Sequence, residues 1–238
     1  MKILITNDDG ISSKLIPFVF EELISRGHEV IVCVPDKNNS AVSQAIRFWE
    51  YKDNKLTKIN DHTYTHPGTP ADGIVYYLKE FEKPDLIISG INIGLNAGTD
   101  IQYSGTIGAA SEAINFNIPS VAISADNNAS DETIKRGLKL VLDKIFANNL
   151  YSNEYVFSFN IPYEIRDEKI ILAPLNKGID VGETKKEYES LSNLSTHYVK
   201  NVGKNTDLYY LLKGYITATP ILVDRTNSQI MPKISIFF

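Results

Sequence analysis

Two adjacent carboxylates, Asp8 and Asp9, stand where the apolar run Ile3-Leu4-Ile5 gives out. Asn7 and Gly10 bracket them with turn-forming residues. Carboxylates side by side repel, and burying them is costly unless water or a cation neutralises them. In open α/β sheets the carboxyl ends of the strands form the ligand crevice. The segment reads either as a hard-metal site on the functional edge of a sheet or as a solvated Asn-Asp-Asp-Gly turn.

Three further oxygen-rich segments follow expected strand ends. Ser40 lies in "PDKNNSAVS", Asn92 in "SGINIGLNAGTD", and Ser104-Gly105-Thr106 opens "TIGAASEA". In a doubly wound sheet these loops share one carboxyl edge with Asp8 and Asp9, which gives two carboxylates, an amide oxygen and a hydroxyl. Hard oxygen ligands select Mg²⁺, Mn²⁺ or Ca²⁺ over Zn²⁺. The four histidines, His28, His62, His66 and His197, lack zinc-type spacing and are expected on the surface or in the core. Ser104-Gly105-Thr106 suits an anion, because free N–H groups and the helix dipole favour a phosphate there, although the same residues cap a helix equally well. Gly90, Gly94 and Gly98, with Asn92 and Asn96, allow a ligand to come close to the backbone. The glycine spacing fits neither the dinucleotide fingerprint nor the P-loop, and there is no Gly-x-Ser-x-Gly elbow. A haloacid-dehalogenase-type phosphatase needs two Asp residues two positions apart, whereas here they are adjacent. Direct metal ligation is therefore preferred to a covalent aspartyl intermediate.

The elements that must position these residues alternate. "KILIT" and "EVIVCVP" read as strands flanking the helix "LIPFVFEELISRG", with Gly27 as its C-cap. "IRFWEYK", "KLTKIN" and "HTYTH" suggest a hairpin excursion with Asp53-Asn54 as a turn and Trp49 packed within it. "TPADGIVYYLKEF" reads as a helix capped by Thr69 or Asp72. The strands "DLIISG" and "SVAISA" follow, each before a helix. Such alternation predicts a Rossmann-like, mostly parallel sheet flanked by helices. Residues 1–150 form this core within a single domain spanning 1–238. Residues 151–238 supply the remaining strands, "YVFSFNIP" and "KIILAPL", and a β-rich C-terminal extension or arm for oligomerisation. The polar stretch from Gly178 to Thr206 is long for an internal loop, and the terminal run from Ile234 to Phe238 is apolar and strand-like.

Bulk properties narrow the classes. The chain has 238 residues, 43% of them hydrophobic, and a formal charge of -5. A core of full size is possible, and a broad nucleic-acid surface is disfavoured, so no stable nucleic-acid partner is expected. The single cysteine, Cys33, excludes an intrachain disulfide and lies in a run read as core. No apolar run reaches the roughly 20 residues that span a bilayer, and Met1-Lys2 leads straight into a strand, so a soluble cytoplasmic protein with no membrane partner is expected.

In order, "ILITNDDG", "VPDKNNSAVS", "GTPAD", "PDLIISGINIGLNAGTDIQYSGTIGAASEA", "NIP" and "TDLYYLLKGYITATPILVD" resemble the signature blocks of the SurE family of phosphatases, the 5'/3'-nucleotidases. The resemblance implies a Rossmann-like core, divalent-metal phosphomonoesterase activity, and dimers or tetramers built partly from exchanged C-terminal segments. It implies metal ligation by Asp8, Asp9, Ser40 and Asn92, and phosphate contacts from Asn96, Ser104, Gly105 and Thr106. The chain departs from the family pattern at Ser13-Lys14-Leu15, at Ala41, where the family usually has Gly, and at Ile93, where a polar or basic residue is frequent. None of these removes a ligand.

The resulting expectation is hydrolysis of nucleoside 5'- and 3'-monophosphates to nucleoside and phosphate, with one Mg²⁺ or Mn²⁺ per subunit and a homodimer or homotetramer. Asp8 and Asp9 are the catalytic pair. Water activated by one of them is the attacking group, and Asp8 as nucleophile is the other option. The alternatives are a non-catalytic nucleotide- or phosphate-sensing module on the same fold and a glycosyltransferase-like α/β enzyme, disfavoured by length and the early acidic motif.

Overall fold

A computed structural model describes residues 1–50, 55–177 and 202–234. The expected Asp53-Asn54 turn, residues 178–201 of the expected arm, His197, and the last four residues lie outside the described residues.

Among the described residues nine strands form one sheet: β1 (Lys2–Thr6), β2 (Glu29–Pro35), β3 (Thr57–Lys58), β4 (Thr63–His66), β5 (Leu86–Ile93), β6 (Ser120–Ala125), β7 (Tyr155–Ile161), β8 (Asp167–Leu172) and β9 (Tyr215–Leu222). Their order is β3-β4-β2-β1-β5-β6-β7-β9-β8. The central strands from β4 to β7 run parallel, whereas β3 is antiparallel to β4 and β9 to β7. The chain goes from β1 outward to β2 on one side and later returns to lay β5 on the other. The strand order therefore reverses between β1 and β5, the place where open α/β sheets bind ligands. The strands β7 to β9, from the second part of the chain, join the same sheet.

Helices α1 (Ile16–Ser25) and α4 (Asp131–Asn148) cover one face, and α2 (Pro70–Glu80) and α3 (Gly105–Asn115) the other. The strand alternation divides the core accordingly. Ile3, Ile5, Val30, Val32 and Ile88 pack with Val19, Leu23, Leu138 and Val141, while Leu4, Ile31, Cys33 and Ile87 pack with Ile74 and Tyr77. Under α3 the paired register Thr6, Ser89, Ala122, Ser158 runs across four strands as a row of small side chains. Ala109, Ala110 and Ala113 of α3 are fully buried, so small residues on both sides let the helix sit close to the sheet. Short helices α5 (Asp207–Leu211) and α6 (Met231–Ile234) complete the described chain, and none of its helices is long and apolar enough to cross a membrane.

Two local expectations fail. Residues 46–50 do not form a strand: Phe48–Glu50 is a 3-10 turn, and the Arg47 amide donates to both carboxylate oxygens of Asp72 (2.8 and 3.1 Å) instead of to a ladder. Trp49, expected to pack within the hairpin, is 65% exposed. The hairpin here is β3–β4, turning through residues 59–62. Ile234, expected to begin a strand, closes α6.

Candidate active site

Asp8 and Asp9 follow the last residue of β1 at the switch point. The turn that carries them is closed by its own first residue. Asn7 Nδ2 donates to the Gly10 carbonyl (3.2 Å), and the Gly10 amide donates to Asn7 Oδ1 (3.0 Å). Gly10 has φ +81°, and a Cβ there would stand 2.7 Å from the Lys37 carbonyl carbon, so only glycine lets the β1 and β2 loops touch. They are tied by the Ile11 amide on the Pro35 carbonyl (2.9 Å) and the Asn39 amide on the Asp8 carbonyl (2.7 Å).

Asp8 is 3% exposed and faces the start of α3. Its Oδ1 accepts from the Thr106 hydroxyl (2.7 Å), and the Gly105 and Thr106 amides also favour its charge. A Cβ on Gly105 would meet Asp8 Cβ at 2.8 Å and Oδ2 at 3.0 Å, so the helix can approach the carboxylate only because position 105 has no side chain. Burial outweighs these donors and raises the Asp8 pKa above the ordinary carboxylate value. Asp9 is less buried, and its Oδ2 accepts a long bond from the Ile93 amide (3.4 Å) at the end of β5. Burial first, and then the Asp8 charge, push the Asp9 pKa up to about 6. Among the described residues no lysine, arginine or histidine forms an ion pair with either acid.

The other expected residues are placed unequally. Asn92 is the penultimate residue of β5, and its Nδ2 donates to the Gly94 carbonyl (2.7 Å), so Oδ1 is the atom that could meet a cation. Ser40 is exposed, one residue beyond the Asn39 that touches Asp8, and its amide donates to Asn38 Oδ1 (2.9 Å). Ser104 is the N-cap of α3: its Oγ accepts from the Ile107 amide (3.0 Å), so its hydroxyl proton stays available to an anion. Thr106 is fully buried and gives its proton to Asp8, which makes it a support for the carboxylate in this state. Asn96 is buried between the ends of β6 and β7, where its Nδ2 donates to Ser124 Oγ (2.8 Å) and its amide to Asn160 Oδ1 (2.8 Å).

Sequence reasoning missed Asn160 and Ser124, which fix Asn96. Each is a polar residue at or just past a strand's carboxyl end, a signal visible in "SFNIP" and "AISAD". Their partners, however, lie far away in sequence. Among the described residues no group of three or more His, Cys, Asp or Glu side chains is placed to hold a metal ion, so a cation at Asp8 and Asp9 would draw its remaining ligands from hydroxyl and amide oxygens.

A doubly wound sheet with a carboxylate pair at its switch point, facing the N-terminus of a helix, defines an α/β protein with acidic residues at the carboxyl edge of its sheet. Comparison with known proteins assigns the family. The profile described as Survival protein SurE matches residues 3–183, and the chain belongs to that family. It is 37% identical to a 5'-nucleotidase SurE of Clostridium tetani, with all of both chains covered, and 34% identical to one of Caldanaerobacter subterraneus, covering 98% of this chain and 96% of the relative. The crystal structure of the SurE protein from Aquifex aeolicus superimposes with a TM-score of 0.81 at 30% identity, over 100% of this chain and 99% of that one.

Proposed function

We propose that this protein is a phosphoric monoester hydrolase that cleaves nucleoside 5'-monophosphates, and 3'-monophosphates as well, with one Mg²⁺ or Mn²⁺ per subunit. The names of its relatives support the nucleotidase reading. The observation that carries the reading is the Asp8–Asp9 pair. Burial pushes both carboxylates toward protonation, and the Asp8 charge adds to the effect at Asp9; neither has a basic partner among the described residues, and Asp8 sits against a helix N-terminus. A divalent cation relieves that repulsion. The donor set of Asp8, Asp9, Ser40 and Asn92 is all oxygen, which suits Mg²⁺ or Mn²⁺. When bound, such an ion neutralises phosphate charge and makes a coordinated water more acidic.

The chain's own residues do the rest. The Thr106 hydroxyl and the α3 amides hold Asp8 in one orientation. Asp9, less buried and loosely tied, is the carboxylate free to take a proton from the attacking water. The Ser104 hydroxyl, whose oxygen is already engaged by the Ile107 amide, points its proton at a phosphate oxygen. The N-terminus of α3 stabilises the charge that develops there. Asn96, locked by Ser124 and Asn160, offers its second amide hydrogen to the same phosphate. At the outer end of the sheet, Leu172 of β8 and Leu222 of β9 are 69% and 74% exposed, an apolar margin that supports assembly into a dimer or tetramer.

Phosphate release from adenosine 5'-monophosphate tests the reading. Turnover with Mn²⁺ that stops on chelation with EDTA and resumes with Mn²⁺ or Mg²⁺ is the expected result. Full turnover in metal-free protein, or none on any mononucleotide with Mn²⁺ present, overturns it.

A further inference from the structure

The loop that carries Ser40 runs into a strap, residues 43–47, anchored at four points. The Ser43 amide donates to the Tyr103 carbonyl (2.9 Å), Gln44 Nε2 to Glu112 Oε2 (2.8 Å), and the Thr69 hydroxyl to the Ala45 carbonyl (2.5 Å). The Arg47 amide reaches both oxygens of Asp72, which is fully buried. On the other side of Ser40, the Asn39 amide is held by the Asp8 carbonyl (2.7 Å). Ser40 therefore rides on a span of three residues, 40–42, between an anchor on the acidic turn and an anchor beside the phosphate cradle. Ser40 and Ala41 are exposed, and Ala41 and Ser43 have φ of 60° and 55°, a region that L-residues enter only under constraint. A ligand on such a span takes its position from the two brackets.

The second bracket is set by α3. A Cβ at Gly108 would stand 2.3 Å from the Ser43 carbonyl oxygen and 2.9 Å from Gln44 Cα, so the helix and the strap touch backbone to backbone. One turn further on, Glu112 holds the Gln44 side chain, and the same Oε2 accepts from Asn115 Nδ2 (3.0 Å). We propose that Glu112, acting through Gln44, and Gly108, through its missing side chain, are positioning residues that set where Ser40 stands relative to Asp8 and Asp9. The proposal rests on the reading of Asp8, Asp9, Ser40 and Asn92 as a cation site. Gln44 needs only an acceptor at position 112, so the hydrogen bond and not the negative charge is what matters.

Mn²⁺ binding to the full chain, followed by electron paramagnetic resonance without substrate, tests this in the wild type and in Glu112→Leu, Glu112→Gln and Gly108→Ala. Glu112→Leu and Gly108→Ala should raise the Mn²⁺ dissociation constant roughly tenfold to a hundredfold, the usual cost of losing a supporting contact behind a ligand. Glu112→Gln should stay close to wild type. The unfolding temperature of the metal-free Glu112→Leu chain should change little, which separates positioning from general destabilisation. If Gly108→Ala does not fold, the two variants at position 112 decide. Wild-type affinity in Glu112→Leu overturns the proposal and leaves the metal reading intact. Equal weakening in Glu112→Gln and Glu112→Leu overturns it by assigning the effect to charge. A wild-type chain that binds no Mn²⁺ overturns the metal reading, and the proposal with it.

Discussion

The two loops that flank the switch point are built in opposite ways. The β1 loop is closed by Asn7, requires glycine at position 10, and buries Asp8 against α3. The β2 loop leaves Ser40 and Ala41 exposed, and its order comes from anchors at its two ends. The first loop has its geometry fixed before any ligand arrives. The second has a position that depends on neighbours. If both loops supply cation ligands as proposed, a charged ligand in the closed, buried turn and a neutral one in the exposed loop divide the labour, with unequal consequences for mutation.

The largest effect should come from the fixed loop. Asp8→Asn removes the more buried charge and leaves the backbone intact, so turnover of a mononucleotide should fall about a thousandfold, equivalent to several kcal/mol of lost charge stabilisation. Ser40→Ala should cost far less. Comparable losses in steady-state kinetics of the two variants would break the distinction between the loops. Next comes Thr106→Val, which keeps shape and removes the donor to Asp8. It should lower turnover by roughly tenfold to a hundredfold and stability by about 1.5–3 kcal/mol in urea unfolding, the range for a hydrogen bond to a charged group. Thr106→Ser should restore most of both. The smallest effect belongs to the adjustable loop. Ala41 sits at φ 60°, where glycine is at ease, so Ala41→Gly should stabilise the chain by up to about 1 kcal/mol with turnover little changed. A loss of stability would show that the Ala41 methyl group makes a contact that matters more than its backbone.

The same contrast explains what could be read from the sequence. Elements set by local pattern were legible: the β1-α1-β2 alternation, the helix from Pro70, whose alternative caps Thr69 and Asp72 act together in the structure as a capping box, and the acids at a strand end. Asp8 and Asp9 stand out because adjacent carboxylates after an apolar run repel each other and are costly to bury. The sequence suggests Thr106 as a phosphate contact, which the structure does not test, and hides its role as the support of Asp8, because that partner lies 98 positions away. The alternating run around Trp49 misled for a related reason. Its period suits a strand, yet the Arg47 amide is claimed by Asp72 of α2, 25 residues on, and the chain turns instead. Ala41 could be noted as a departure from the family's glycine, while the backbone angle that makes the departure costly belongs to the structure.

The proposed cation would lie between the two loops, held by Asp8, Asp9, Ser40 and Asn92. A crystal of the protein soaked in Mn²⁺ and measured for anomalous scattering tests it most directly. The expected result is one peak per chain, roughly 2 Å from carboxylate oxygens of Asp8 and Asp9 and in contact with Ser40 and Asn92. A soaked crystal with no peak there, or with its peak on other side chains, would contradict it.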